Sequence, residues 1–338
     1  TSNDAAGWSL QNGTDNIHIG TNSGASATST INNVLIGSDV GTSIITAGNN
    51  VLIGKNTGNA INSLGENIVI GADSGTSTLT GSALIIGKSA GVGYTGQYAY
   101  SLGNNSGKNI LGTSNMFLGY NSGGGQPVDS KTGSYNLAIG PYSGYNLSTG
   151  SRNVLIGSGN SLNSVGIVIS TGSDNTILGY SAGSQIQGGS NNTLIGSNSG
   201  ATLTSGVNNL ILGYNSAFTL NTGSNNVSLG PYSGYKLTSG SGNIFSGFEA
   251  GYNTSDGSNN INIGYQSGYT GSNSAYTNNI HIGYQAGYTS TAENNLFLGY
   301  QAGLKNTTGK TNICIGLNSG KGDNTNNRQT GSNNVFIG

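Results

Sequence analysis

The chain has 338 residues, 61 of them glycine, and only 6% are charged, with a formal net charge of −1. An ordinary soluble domain carries about 25% charged residues. So little charge steers the chain toward neither nucleic acid nor an anionic membrane, and no apolar run reaches the roughly 20 residues that span a bilayer. The single cysteine, Cys314, excludes an intrachain disulfide framework.

Disorder would suit this Gly, Ser, Asn and Thr excess, but disorder needs no register and this chain has one. The glycine that follows an apolar triplet recurs at 20, 37, 54, 71, 87, 103, 119, 140, 157, 179, 196, 213, 230, 247, 264, 283, 299, 316 and 338. Of the eighteen intervals ten are 17 residues and four are 16; the others are 19, 21, 22 and 22. Such spacing predicts an all-β chain, a β-solenoid (β-roll) of about 19 coils with a 17-residue repeat, running as one unit over residues 1–338. At about 4.8 Å per coil the stack is expected to form a rod on the order of 90 Å long. The longest insertions, at 120–136, 158–175 and 317–334, are expected to be loops.

Within each coil the first element is an asparagine four places before the key glycine, present in seventeen of nineteen coils. Asn33, Asn50, Asn67, Asn153, Asn192, Asn209, Asn226, Asn260, Asn279 and Asn295 belong to this column. Asn tolerates left-handed turn geometry and its amide can bond the copies above and below, so a structural ladder at a corner is expected.

The apolar triplet follows and predicts a short strand. We call its columns leading, middle and trailing, at three, two and one places before the glycine. The leading column is nearly all apolar and the trailing one is Ile or Leu in eighteen coils. Residues two apart share one face of a strand, so these two columns are expected to point inward. The middle column is then expected to face outward, yet it contains Leu35, Leu52, Val69, Ile85, Phe117, Leu155, Ile177, Leu194, Ile211, Phe245, Phe297 and Phe336. A stripe of that length exceeds what a soluble monomer tolerates, which makes it a candidate oligomer interface. A parallel trimer around an axis is the simplest closed solution, with another oligomer or a filament as alternatives. His18 and His281 lie in this column and are low-priority candidates for an axial metal or anion site. No cofactor is expected.

Beyond the key glycine, a second glycine four places on suits a tight corner. Later apolar residues such as Leu147, Leu203, Leu220 and Leu237 are expected to anchor a second strand inward. Tyrosines recur directly after the key glycine (Tyr265, Tyr284, Tyr300) and five places after it (Tyr252, Tyr269, Tyr288). Stacked aromatic ladders with polar tips are candidates for binding a cell-surface glycan or protein.

The unit Asn-Asn-x-x-Ile-Gly-x-x-Ser-Gly resembles the head repeats of YadA-like trimeric autotransporter adhesins. The runs Gly283-Tyr284-Gln285-Ala286-Gly287 and Gly299-Tyr300-Gln301-Ala302-Gly303 resemble repeats of tail-fibre-like phage, viral and bacterial surface fibre proteins. The adhesin repeat is shorter, about 14 residues against 17 here. The resemblance implies a trimeric β-roll used for adhesion or display, located outside the cell or on a cell or virion surface, within a longer fibre protein.

Two His, one Cys and eleven scattered carboxylates offer no catalytic constellation, so no enzyme is expected. The functional expectation is a structural or adhesive fibre segment whose main partner is itself, without nucleic-acid binding or membrane insertion. A self-assembling filament is the alternative, and an ice-binding solenoid a less favoured one, because Thr recurs only in single file.

Overall fold

A computed structural model describes residues 13–61, 65–79, 81–124, 131–159, 170–270, 275–322 and 330–338. Parts of the three expected loops, 125–130, 160–169 and 323–329, lie outside the described residues. The described part is all-β and without helix, a parallel β-solenoid built from nineteen three-residue strands. Its contacts divide the chain into two units, Thr1–Thr171 and Gly172–Gly338.

The first unit holds β1 (Ile17–Ile19), β2 (Val34–Ile36), β3 (Val51–Ile53), β4 (Ile68–Ile70), β5 (Leu84–Ile86), β6 (Tyr100–Leu102), β7 (Met116–Leu118), β8 (Leu137–Ile139) and β9 (Val154–Ile156). The second holds β10 (Thr176–Leu178), β11 (Thr193–Ile195), β12 (Leu210–Leu212), β13 (Val227–Leu229), β14 (Ile244–Ser246), β15 (Ile261–Ile263), β16 (Ile280–Ile282), β17 (Leu296–Leu298), β18 (Ile313–Ile315) and β19 (Val335–Ile337). Inside each unit every strand pairs in parallel with the next, column on column, as in Thr193↔Leu210 and Leu194↔Ile211. Each coil contributes one strand among the described residues; the expected second strand is absent there. The remaining path is made of turns, because left-handed residues recur too often for an extended run.

Those left-handed residues set the corners. One stands five places before the key glycine (Asn32, φ 55°; Asn208, φ 59°), a second two places after it (Asn198, φ 56°; Gln285, φ 51°), and a third is the corner glycine (Gly200, φ 54°). Asn, Asp and Gly accept this region at least cost, which accounts for the composition. The key glycine answers a second demand as well. A Cβ on Gly196 would lie 2.6 Å from the carbonyl oxygen of Gly213 in the next coil, so the stack closes only when this column has no side chain.

The structure reverses the expected faces of the strand. The middle column points inward: Leu35, Leu52, Val69, Ile85, Phe117, Leu155, Ile177, Leu194, Ile211, Phe245 and Phe297 are all fully buried, and Phe336 packs half-buried on the cluster of Ala286, Phe297, Ala302 and Cys314. These residues are therefore core and not an oligomer interface. The leading and trailing columns face out. Leu147, Leu203, Leu220 and Leu237 are inward anchors as expected, packed from a turn.

The asparagine column is a buried ladder. The backbone N–H and the side-chain amide of Asn209 both donate to Oδ1 of Asn192, each at 3.0 Å, and Asn226 repeats this onto Asn209 at 3.0 and 3.1 Å. In the first unit the same bonds join Asn33 to Asn16, Asn50 to Asn33, Asn67 to Asn50 and Asn153 to Asn136. Ala83 and Ala99 interrupt the column between Asn67 and Asn115. In the second unit Asn260, Asn279 and Asn295 continue it. Buried amides with this many partners stabilise the stack instead of straining it.

Candidate functional site

Two surfaces of the solenoid stand out. The first is the outer face of the sheet. Leading and trailing residues there are almost all Ile, Leu or Val, and many are well exposed: Leu178, Leu210, Leu212, Ile244, Ile263 and Ile280 in the second unit, and Ile17, Ile19, Ile68, Met116 and Leu118 in the first. Alternation puts one column in three inside, so a triplet that is apolar throughout leaves two apolar columns in water. No Lys, Arg, Asp or Glu occupies either column. Of the twenty such positions in the second unit seventeen are apolar, ten of them 36–77% exposed, and together they present on the order of 1,000 Å² of apolar surface, where the largest patch of a typical monomer is a few hundred.

The second surface is a corner of the second unit. Tyr265 stacks between Phe248 and Tyr284, with centroids 5.4 and 5.2 Å away, and Tyr300 extends the lane 5.0 Å beyond Tyr284. A second lane runs Phe218, Tyr235, Tyr252, Tyr269, Tyr288, with centroid separations of 5.5, 5.1, 5.2 and 5.0 Å. All six expected tyrosines thus fall into the two stacks. Between them runs a lane of side-chain amides, the Gln of the Gly-Tyr-Gln motif, whose role the sequence pattern alone does not indicate. Gln266 Nε2 donates to Glu249 Oε2 at 2.7 Å, Gln285 to Gln266 Oε1 at 2.9 Å, and Gln301 to Gln285 Oε1 at 2.9 Å. Tyr232 shows that this lane lies between the others. It occupies the same place in its own coil as these glutamines, and its ring touches Tyr214 and Phe248 of one aromatic column and Tyr235 of the other. Burial raises the hydroxyl pKa of Tyr252, Tyr269 and Tyr288, so the tyrosines of that second aromatic lane are neutral at physiological pH.

Searches for similar proteins return nothing. No family model, curated protein or solved structure matches the chain.

The two histidines are not where an axial site would need them. His281 is fully buried within the coil, its ring stacked on Phe297 at 5.0 Å and its Nδ1 3.0 Å from Asn262 Oδ1. Burial pushes its pKa down to about 3. Tyr276, from the 19-residue coil, enters the core to complete the arrangement: Asn262 and Thr254 donate to its hydroxyl at 3.0 and 2.7 Å, and the hydroxyl donates to the Gly268 carbonyl at 2.9 Å. His18 is half-buried in β1, its pKa lowered by burial. Among the described residues no group of three His, Cys, Asp or Glu could hold a metal ion. No helix among them is long and apolar enough to cross a membrane.

Proposed function

We propose that this chain is a structural segment of an extracellular fibre, on a cell or virion surface, that assembles with further copies of itself and presents its corners for attachment. The observation that carries the reading is the outer face of the sheet, two apolar columns wide and without charge. Its area exceeds the roughly 800 Å² per partner of a standard interface. A parallel trimer closed around these faces is the reading that would cover them, and the tyrosine and glutamine corner belongs to a different part of the coil path, which suits attachment.

Sedimentation equilibrium of the purified chain tests the assembly. The expected result is a defined multiple of the chain mass, reduced to the monomer mass by Ile244→Lys with Ile280→Lys. These replace outward side chains only, so circular dichroism of the variant should match the parent. A stable parent monomer with a native spectrum would overturn the reading. Filaments of indefinite length in electron micrographs would replace the closed oligomer with end-to-end assembly.

A further inference from the structure

The corner of the second unit carries three parallel lanes over four successive coils, those of Gly247, Gly264, Gly283 and Gly299. Their first residues are Phe248, Tyr265, Tyr284 and Tyr300; their second are Glu249, Gln266, Gln285 and Gln301; the other aromatic lane supplies Tyr252, Tyr269 and Tyr288, with Leu304 closing it. What the lanes can recognise follows from which of their groups are already occupied.

Ring faces inside the lanes are not available. Tyr265 and Tyr284 each have an aromatic ring on both sides within 5.4 Å, at interplanar angles of 14° or less. Both remain more than 40% exposed, so the surface they offer is the ring edge and the hydroxyl. The glutamines are half spent. Each amide has two donors and an oxygen with two lone pairs, and the ladder of Gln285 between Gln266 and Gln301 takes one donor and one acceptor site. One N–H and one lone pair of Gln285 remain for a ligand. In the coils of Gly264 and Gly283 the corner is therefore a neutral strip of hydroxyls flanking amides that both donate and accept; the coil of Gly299 lacks the second hydroxyl, and that of Gly247 puts the Glu249 carboxylate in the middle lane.

The repeat selects among extended polymers. An extended polypeptide brings side chains to one face every two residues, roughly 6.6 Å, and drifts out of phase with a lane spaced at 5.0–5.4 Å. Nucleic acid requires cations along its phosphates, and no Lys or Arg stands in any of the three lanes over these coils. A β-1,4-linked pyranose chain advances by close to one lane spacing per sugar. Its hydroxyl-bearing edges alternate from side to side, matching a hydroxyl lane on either flank of the amides.

We propose that this corner is a binding track for an extended, uncharged β-1,4-linked glycan, one sugar per coil along the coils of Gly264 to Gly299. The assignment rests on the reading of the chain as an attachment segment and names the class of its ligand. The middle lane supplies paired donor and acceptor contacts to ring hydroxyls, and the tyrosine hydroxyls meet the two edges. Specificity comes from phase, because a coiled α-1,4-linked chain of the same sugars keeps register with the lanes for no more than a short stretch.

Calorimetric titration of the full chain with a β-1,4-linked glucose hexasaccharide, and separately with its α-1,4-linked isomer, tests the track. Binding of the β-linked probe alone is expected. The variant Tyr265→Phe/Tyr284→Phe/Tyr300→Phe removes hydroxyls and leaves the ring stack in place. At about fivefold per hydroxyl contact it should bind at least tenfold more weakly, with an unchanged thermal melt. Gln285→Met, close in shape but without the amide, should weaken binding similarly. No binding of the β-linked probe, equal binding of both isomers, or variants that bind like the parent would each overturn the assignment. The two readings fail separately: a chain that assembles without binding sinks the glycan track alone, and a monomer that binds sinks the oligomer alone.

Discussion

Asn209→Ala isolates the contribution of one rung of the asparagine ladder. Alanine fits the column sterically, since Ala83 and Ala99 occupy it in the first unit, so the change removes hydrogen bonds with little repacking. Four are lost: those from the Asn226 backbone N–H and side-chain amide to Asn209 Oδ1, and those from Asn209 Nδ2 to Asn192 Oδ1 and to the Gly223 carbonyl, all at 3.0–3.1 Å. Asn226 is fully buried, so its amide groups find no water in exchange. At about 1 kcal/mol per bond the rung is worth roughly 4 kcal/mol. A stacked solenoid opens coil by coil, so a local probe is the right one. Hydrogen exchange at the Asn226 amide should accelerate about a thousandfold for that loss, with the effect fading over the neighbouring coils. Acceleration below about tenfold would mean that the ladder decorates the stack without supporting it, and the energetic reasoning would fail.

Three further expectations concern other parts of the molecule. Gly196→Ala should lower the thermal midpoint sharply, since the new Cβ meets the Gly213 oxygen at 2.6 Å and φ is +125°; Gly81→Ala, whose Cβ finds only the Gln97 side chain at 3.5 Å, should be nearly silent. His281 has its folded pKa lowered from 6.5 to about 3, so the unfolded state binds the extra proton first. Stability should therefore be complete above pH 6.5 and decline as pH falls toward 3, and His281→Phe should flatten that part of the melting profile. Cys314, 2% exposed and with its thiol pushed up to about 11 by burial, should resist thiol reagents at neutral pH and react only as the chain unfolds; prompt labelling of the native protein would contradict its position in the core.

The repeat, the strand positions and the asparagine ladder could be read directly, because each imposes one residue type at a fixed place in a fixed period. The sign of the strand's faces could not. Alternation separates the middle column from its neighbours without saying which side is inside, and all three columns are apolar. Uniform Ile and Leu in the trailing column suit a core, while the polar Ser101, Ser228, Asn262 and His281 in the middle column suit a surface. The core gives Ser228, Asn262 and His281 internal partners, while the buried Ser101 hydroxyl has none among the described residues. Ser228 Oγ donates to the Ser233 carbonyl at 2.9 Å, and Asn262 and His281 pair with one another beside Tyr276, a residue of a coil insertion that no period predicts. One signal did point to the inside: large and small residues compensate along the middle column, as where Phe117 precedes Ala138 and Phe245 lies between Ser228 and Asn262. Close packing demands that compensation, and a surface does not. The tyrosine columns were legible as periodic residues, but the amide lane between them emerged only from the contacts of Tyr232.

The asparagine ladder also has a sense of direction. From Asn192 to Asn279 each side-chain amide donates to the oxygen of the asparagine before it. Amide dipoles in this file add up instead of cancelling, and each rung polarises the next. A coil entering the file must offer its oxygen to one neighbour and its hydrogens to the other, so it fits in one orientation and is refused when inverted. Whole coils can thus be duplicated or lost in the gene while the grammar of the file is kept, whereas a reversed or half-length insert has no valid place in it.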